Sequence, residues 1–150
     1  MIDPWSQWAL YPFHKGIFRI LSKYPQIDGT FDQMRPLKRA FSKSLGKGGG
    51  LFSMDLSTAT DRLPMAIQKP LISAVFGLTK IEGDAWSSLL VNRAYMMPSG
   101  SWKFFPKKEK FQVPSALIYA AGQPMGGYSS WPMLAITHHF IVQVAAWSSD

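Results

Sequence analysis

The chain of 150 residues contains no cysteine. Disulfides and thiolate metal sites are therefore excluded, and the redox compartment cannot be read. Acid is scarce too. Nine Asp and Glu stand against sixteen Lys and Arg, for a formal charge of +7 and an isoelectric point near 9.8. That balance suits a polyanionic partner, with nucleic acid first and an anionic membrane surface second. No basic-then-apolar pattern opens the chain, so no secretory signal is read, and the start is not a convincing mitochondrial presequence. One near-apolar run, Trp131 to Trp147, falls short of the ~20 residues of a spanning helix and carries His138, His139 and Gln143. It reads as a buried core helix, with no membrane span. Internal repeats, low-complexity linkers and domain boundaries are absent as well.

What is present is apolar and aromatic. Composition is 47% hydrophobic and 14% aromatic, which argues for one folded domain rather than disorder. The charge is unevenly placed. Residues 1–50 hold eight Lys and Arg against three acids, and none of either base occurs from Phe111 onward. A second cluster, Lys103, Lys107, Lys108 and Lys110, reads as a hairpin with a solvated face, with RNA contact as the alternative. Helical periodicity predicts a helix over 4–24 interrupted near Pro12, and a second from the Asp28-Gly29-Thr30 turn to about Ser44. The second carries Arg35, Lys38, Arg39 and Lys43 on its outer side, either a solvated face or a strip touching phosphates. Further helices are predicted from Pro64 to about Phe76, near 81–93, and from Ser130 to Trp147. Residues 94–120 read as short strands around Tyr95–Met97, Trp102–Phe105 and Phe111–Tyr119.

Two stretches carry chemistry. In the first, Leu51 and Phe52 lead into Asp55 and read as a short buried strand, 51–55, ending on a carboxylate. Asp61 follows six positions later. An acid at the end of an apolar strand needs a metal, a base or a hydrogen-bond network. Thr58 and Asp61 also fit a capping box for the helix that follows. Arg62 is suited either to phosphate contact or to pairing with Asp61. Lys47 and Gly48 to Gly50 do not make a phosphate loop, because the order of residues is wrong and the loop precedes the strand. In the second stretch, a glycine loop from Gly122 to Gly127 feeds Ser129, Ser130 and the long helix. Strand-end carboxylates hold Mg²⁺ for phosphoryl transfer, and a glycine loop can follow a sugar-phosphate backbone through its N–H groups. Adjacent His138 and His139 point about 100° apart on a helix and serve one ion poorly.

Together these motifs resemble those of the mitovirus RNA-dependent RNA polymerases. The matching stretches are Trp5-Ser6-Gln7, Pro12-Phe13-His14, Asp28 through Gln33, Asp55 through Pro64, and Gly122 through Gly126 on to Ser129-Ser130-Trp131 and Thr137-His138-His139. The resemblance implies an α+β, helix-rich fold: a partial right-hand polymerase palm with part of the fingers. Residues 1–150 would be a single incomplete domain, with fingers and palm helices over 1–50 and the palm region over 51–150. By the same resemblance, Asp55 is the catalytic residue and a ligand of Mg²⁺. Asp61, Ser129 and Ser130 would bind the nucleotide and its ribose, with Asp61 sensing the 2′-hydroxyl. Gly126, Gly127 and Arg62 would face template RNA, as would Lys38, Arg39 and Lys43. Many relatives place an Asn on the helix after the glycine loop; Leu134 or a neighbour falls there, and Ser129 or Ser130 would substitute.

RNA and nucleoside triphosphates are the implied partners, and a mitochondrial location is the implied address. The family's next motif, Gly-Asp-Asp, does not occur. A two-metal transfer with one carboxylate stretch is incomplete, so the chain is expected to be truncated and inactive by itself. A residual RNA-binding module and a non-functional relic of an integrated mitovirus are the alternatives. A missing polymerase portion, or an aggregation partner, would cover exposed strand edges and apolar faces.

Overall fold

A computed structural model of the chain describes residues 2–45, 52–96 and 116–149. Among them are six helices: α1 Pro4–Leu21, α2 Met34–Leu45, α3 Ala59–Arg62, α4 Met65–Phe76, α5 Lys80–Ser88 and α6 Ser130–Trp147. Two short strands, β1 Tyr95–Met96 and β2 Ala116–Leu117, pair antiparallel. The helix-rich character read from the sequence is observed. The predicted lysine hairpin, the Trp102–Phe105 strand and the Lys47 loop lie outside the described residues.

α1 begins where its sequence dictates. Asp3 accepts a hydrogen bond from the Ser6 backbone N–H at 2.9 Å and Pro4 occupies the first turn. The same carboxylate takes the Ser6 hydroxyl and the Arg93 guanidinium, each at 2.7 Å. The Ser6 N–H, then its hydroxyl, then Arg93 hold the Asp3 carboxyl far below the ordinary carboxylate range. The predicted break near Pro12 does not occur. Proline removes one helical hydrogen bond. Its exposed ring points away from the core, while Leu10 and Ile17 bury the opposite face completely.

α2 starts at Met34, later than the predicted start at the Asp28 turn. Asp28 instead closes its own turn, accepting from the Thr30 N–H at 3.0 Å, and Asp32 caps α2 through the N–H groups of Met34 and Arg35. Pro36 then falls in the first turn of α2, where its missing N–H costs no helical hydrogen bond. No residue of α2 is buried, and Met34, Leu37, Phe41 and Leu45 are all exposed.

The predicted strand over 51–55 is not found in its described residues. Residues 52–56 have no ladder partner, and Phe52 and Met54 lie in the open. Apolar content makes a strand only where a neighbour supplies hydrogen bonds. The Thr58 capping box also fails. Thr58 adopts a left-handed backbone (φ 52°), and its hydroxyl donates to the Ser57 carbonyl at 2.7 Å instead of capping α3. The capping box forms elsewhere. Thr79 and Glu82 exchange side-chain and backbone hydrogen bonds at the start of α5. Asp84 is held by Lys69 of α4 at 2.6 Å.

The core joins Leu10, Ile17 and Leu21 of α1, Ile72 of α4, Trp86 of α5, Leu90 and Val91 just after it, and Met133 of α6. α6 packs against α1, α3 and α4. Its first half is buried as predicted, through Ser130, Pro132, Met133 and Thr137. Its second half is not, and from Phe140 onward every described residue is exposed. None of the described helices is long and apolar enough to cross a membrane.

Leu10→Ala should cost about 2–5 kcal/mol of unfolding free energy in urea titrations, as expected for a cavity in a packed core. Phe41→Ala in α2 should stay within about 0.5 kcal/mol of the parent, since Phe41 is exposed and lies outside the core cluster. A loss at Phe41 as large as at Leu10 would mean that α2 is covered in solution.

Candidate functional site

The two motifs singled out in the sequence run side by side. The Met65 N–H donates to the Ala121 carbonyl at 2.8 Å, the Gly122 N–H to Asp61 at 3.0 Å, and the Gln123 N–H to Thr60 at 2.7 Å. A Cβ on Gly122 would lie 2.1 Å from the Thr60 carbonyl oxygen and 2.5 Å from the Asp61 carbonyl carbon. Only glycine permits this approach, and backbone on the other side cannot yield. Buried side chains lock the pairing. The Gln123 amide donates to Gln68 Oε1, and Gln68 Nε2 donates to the Leu63 carbonyl at 2.7 Å.

The far end of the loop is held by α1 and α5. The Gln7 side-chain amide spans it, donating to the Gly126 carbonyl at 2.9 Å and accepting from the Tyr128 N–H at 2.7 Å. The Ser129 N–H donates to His14 Nδ1 at 3.3 Å, and the Ser129 hydroxyl accepts from the Trp86 indole at 3.0 Å. Burial, followed by the charge of Lys15, lowers the His14 pKa from its ordinary 6.5. Gln7, His14, Gln68 and Trp86 were not among the predicted site residues. Gln7 and His14 lie in the matching stretches Trp5-Ser6-Gln7 and Pro12-Phe13-His14, a signal without an evident role until the loop is in view.

Asp61 is half-buried, and its Oδ1 is buried with no hydrogen-bond partner. Beside it, the Tyr119 phenol is pushed up, first by burial and then by the Asp61 charge. Ser129 and Ser130 are both buried. The Ser129 hydroxyl is occupied by Trp86, whereas that of Ser130 has no partner. Buried polar atoms without partners are uncommon and call for an explanation. α3, which carries Asp61, packs on α6, which begins at Ser130. Gly126 is exposed in a left-handed conformation (φ 84°), and Gly127 is buried beside Ile2 and Leu90. Arg62 is exposed and makes no ion pair with Asp61 or any other described acid.

Other predicted residues are not drawn in. Asp55 is exposed in the extended 52–56 segment. No group of three or more His, Asp or Glu able to hold a metal exists among the described residues. Mg²⁺ demands near-octahedral oxygen coordination, so Asp55 and its described surroundings do not by themselves fit that ion. Lys38, Arg39 and Lys43 are exposed on α2. His139 Nε2 lies 3.2 Å from the buried Asp28 carboxylate, while His138 is exposed, so the two rings are used separately.

Gly122→Ala should separate the two motifs and cost about 1–3 kcal/mol or more in unfolding free energy. Amide hydrogen exchange should rise at Met65 and Gln123 above all. His14 gives a pH signature. Its folded-state pKa is lowered, so its contribution is complete above about 6.5 and declines as pH falls below that value. Thermal melts should therefore weaken on acidification through that window, and His14→Asn should flatten this part of the profile.

A family model described as mitovirus RNA-dependent RNA polymerase matches residues 1–150. The chain is 41% identical over 147 residues to the RNA-directed RNA polymerase of Cryphonectria parasitica mitovirus 1, a match covering 98% of this chain and 16% of that protein. It is 35% identical over 127 residues to one uncharacterized mitochondrial protein of Arabidopsis thaliana, covering 85% of this chain and 45% of the relative. A second such Arabidopsis protein is 33% identical over 120 residues, covering 80% and 52% respectively. The chain thus spans between a sixth and about half of the length of these relatives. No solved structure matches. With glycine loop and Asp61 segment joined and the family match running over residues 1–150, the chain belongs to the mitovirus RNA-dependent RNA polymerase family.

Proposed function

We propose that this chain is the nucleotide-reading portion of an RNA-directed RNA polymerase palm. Asp61 and Ser130 would read the ribose of an incoming nucleoside triphosphate, and Gly126, Gly127 and Arg62 would border the RNA. The observation that carries this reading is the backbone ladder from residues 60–65 to 121–123 together with Asp61 Oδ1 and Ser130 Oγ, two of the four buried side-chain polar atoms without a partner among the described residues. A carboxylate oxygen and a hydroxyl offer an acceptor and a donor, the complement of a ribose 2′-hydroxyl. Ser129 would act through position, because its hydroxyl already holds Trp86. In the full reaction the 3′-hydroxyl oxygen of the growing strand bonds to the α-phosphorus and pyrophosphate leaves. The described residues supply only Asp55 toward a metal, and no part of this reading runs through one. Without Gly-Asp-Asp, the chain is expected to be inactive on its own. The mitovirus and Arabidopsis mitochondrial relatives support a mitochondrial location.

A second reading, an RNA-binding strip, has its own support. α2 carries Arg35, Lys38, Arg39 and Lys43 with no acid in the helix. Phosphate contact there would make affinity fall steeply with salt.

Titration with ATP and dATP, followed by tryptophan fluorescence, tests the ribose reading. ATP should bind more tightly, by about fivefold or more, and Asp61→Ala should abolish the preference. Equal affinity of the parent for both nucleotides would sink the assignment. Primer extension with Mg²⁺ should give no product, and robust incorporation lost in Asp55→Ala would refute the expected inactivity.

A further inference from the structure

We propose that the outward face of α1 is a stacking surface for single-stranded RNA. The face is formed by Trp5, Trp8, Tyr11, Lys15 and Arg19. At ~100° per residue these positions fall within one arc of about 120°, opposite the buried Leu10, Ile17 and Leu21. All five are exposed, Trp5 at 80% and Trp8 at 76%. Exposed indoles in such a pair need a reason, because burying one aromatic ring removes a large apolar area from water.

Three observations select the occupant. First, Pro4, Trp5 and Trp8 line an open cavity of about 310 Å³. No ring contact engages either indole among the described residues. Both therefore offer uncovered π faces to a flat aromatic such as a nucleobase. Second, the ring–cation pattern continues along the helix, with Lys15 Nζ 5.5 Å from the centre of the Tyr11 ring. Third, the charge is of one sign. No acid occurs within α1, and the Asp3 cap at its start is already held by Ser6 and Arg93. Aromatic platforms beside cations are what a single strand requires, since each base stacks and each phosphate meets a base of the protein. A protein partner would meet the same rings, but nothing on this face would complement its acids and bases alike. The net charge of +7 points the same way. This surface lies outside the Asp61 and Ser130 region and does not depend on the ribose reading.

The test uses the intact chain and a short fluorescein-labelled single-stranded RNA, read by anisotropy at several salt concentrations. Trp5→Ala with Trp8→Ala should weaken binding about fivefold or more, with the salt slope unchanged, because stacking rather than phosphate contact is lost. Lys15→Gln with Arg19→Gln should instead reduce the slope. RNA should quench indole fluorescence in the parent and quench it less in the tryptophan variant. Trp5→Phe with Trp8→Phe should retain most of the affinity. Matching circular dichroism and melting temperature certify the fold of each variant, since none of these side chains is in the core. Unchanged affinity in the double alanine variant overturns the proposal, whether RNA then binds through α2 or the face engages protein. Neither outcome touches the ATP–dATP comparison, so the two readings fail separately.

Discussion

Gly122 lies against the carbonyls of Thr60 and Asp61 with no room for a side chain, and much of the site follows from that approach. The missing Cβ lets three backbone hydrogen bonds join segments sixty residues apart. Gln123 then reaches Gln68, and Gln68 reaches the Leu63 carbonyl, so the start of α4 is anchored to the same ladder. The loop emerges to meet Gln7, His14 and Trp86, and α6 begins with its first turn buried.

Stability is concentrated in one part of the molecule. α1, α4, α5 and the first half of α6 share the core, together with Leu90 and Val91. Elsewhere, large apolar groups stand in water: Phe52 and Met54, the apolar positions of α2, and Phe140 through Trp147. Scattered exposed apolar residues are ordinary, but contiguous faces mark places where another surface docks. Local opening free energies should differ accordingly between the shared core and these outer elements.

Much of the secondary structure was legible because it is written locally. α6 was predicted at its observed limits, and the helices ending at Leu21 and Phe76 were placed to within a few residues, since apolar periodicity reports a face directly. Tyr95–Met96 and Ala116–Leu117 fall inside predicted strands. Two local signals misled. The apolar approach to Asp55 looked like a strand, but it has no partner among the described residues. Thr58 looked like a cap, but its left-handed backbone turns the hydroxyl onto Ser57.

The candidate site was legible only in part. Asp61, Ser129, Ser130 and the glycine loop were named from motif chemistry, and the fold brings them together. Gln68 was hidden because one polar residue on an apolar helix face carries no signal until Gln123 lies opposite. Trp86 reads as core until its N–H is seen to meet Ser129. The sequence by itself determined the excess of positive charge, the helix-forming segments and the family, because composition, periodicity and motif order are properties of the chain alone. Tertiary structure decided that Gly122 is a contact residue, that half of α6 is uncovered, and which serine hydroxyl is occupied. Each of these depends on what a residue distant in sequence places beside it, and no local pattern encodes that neighbour.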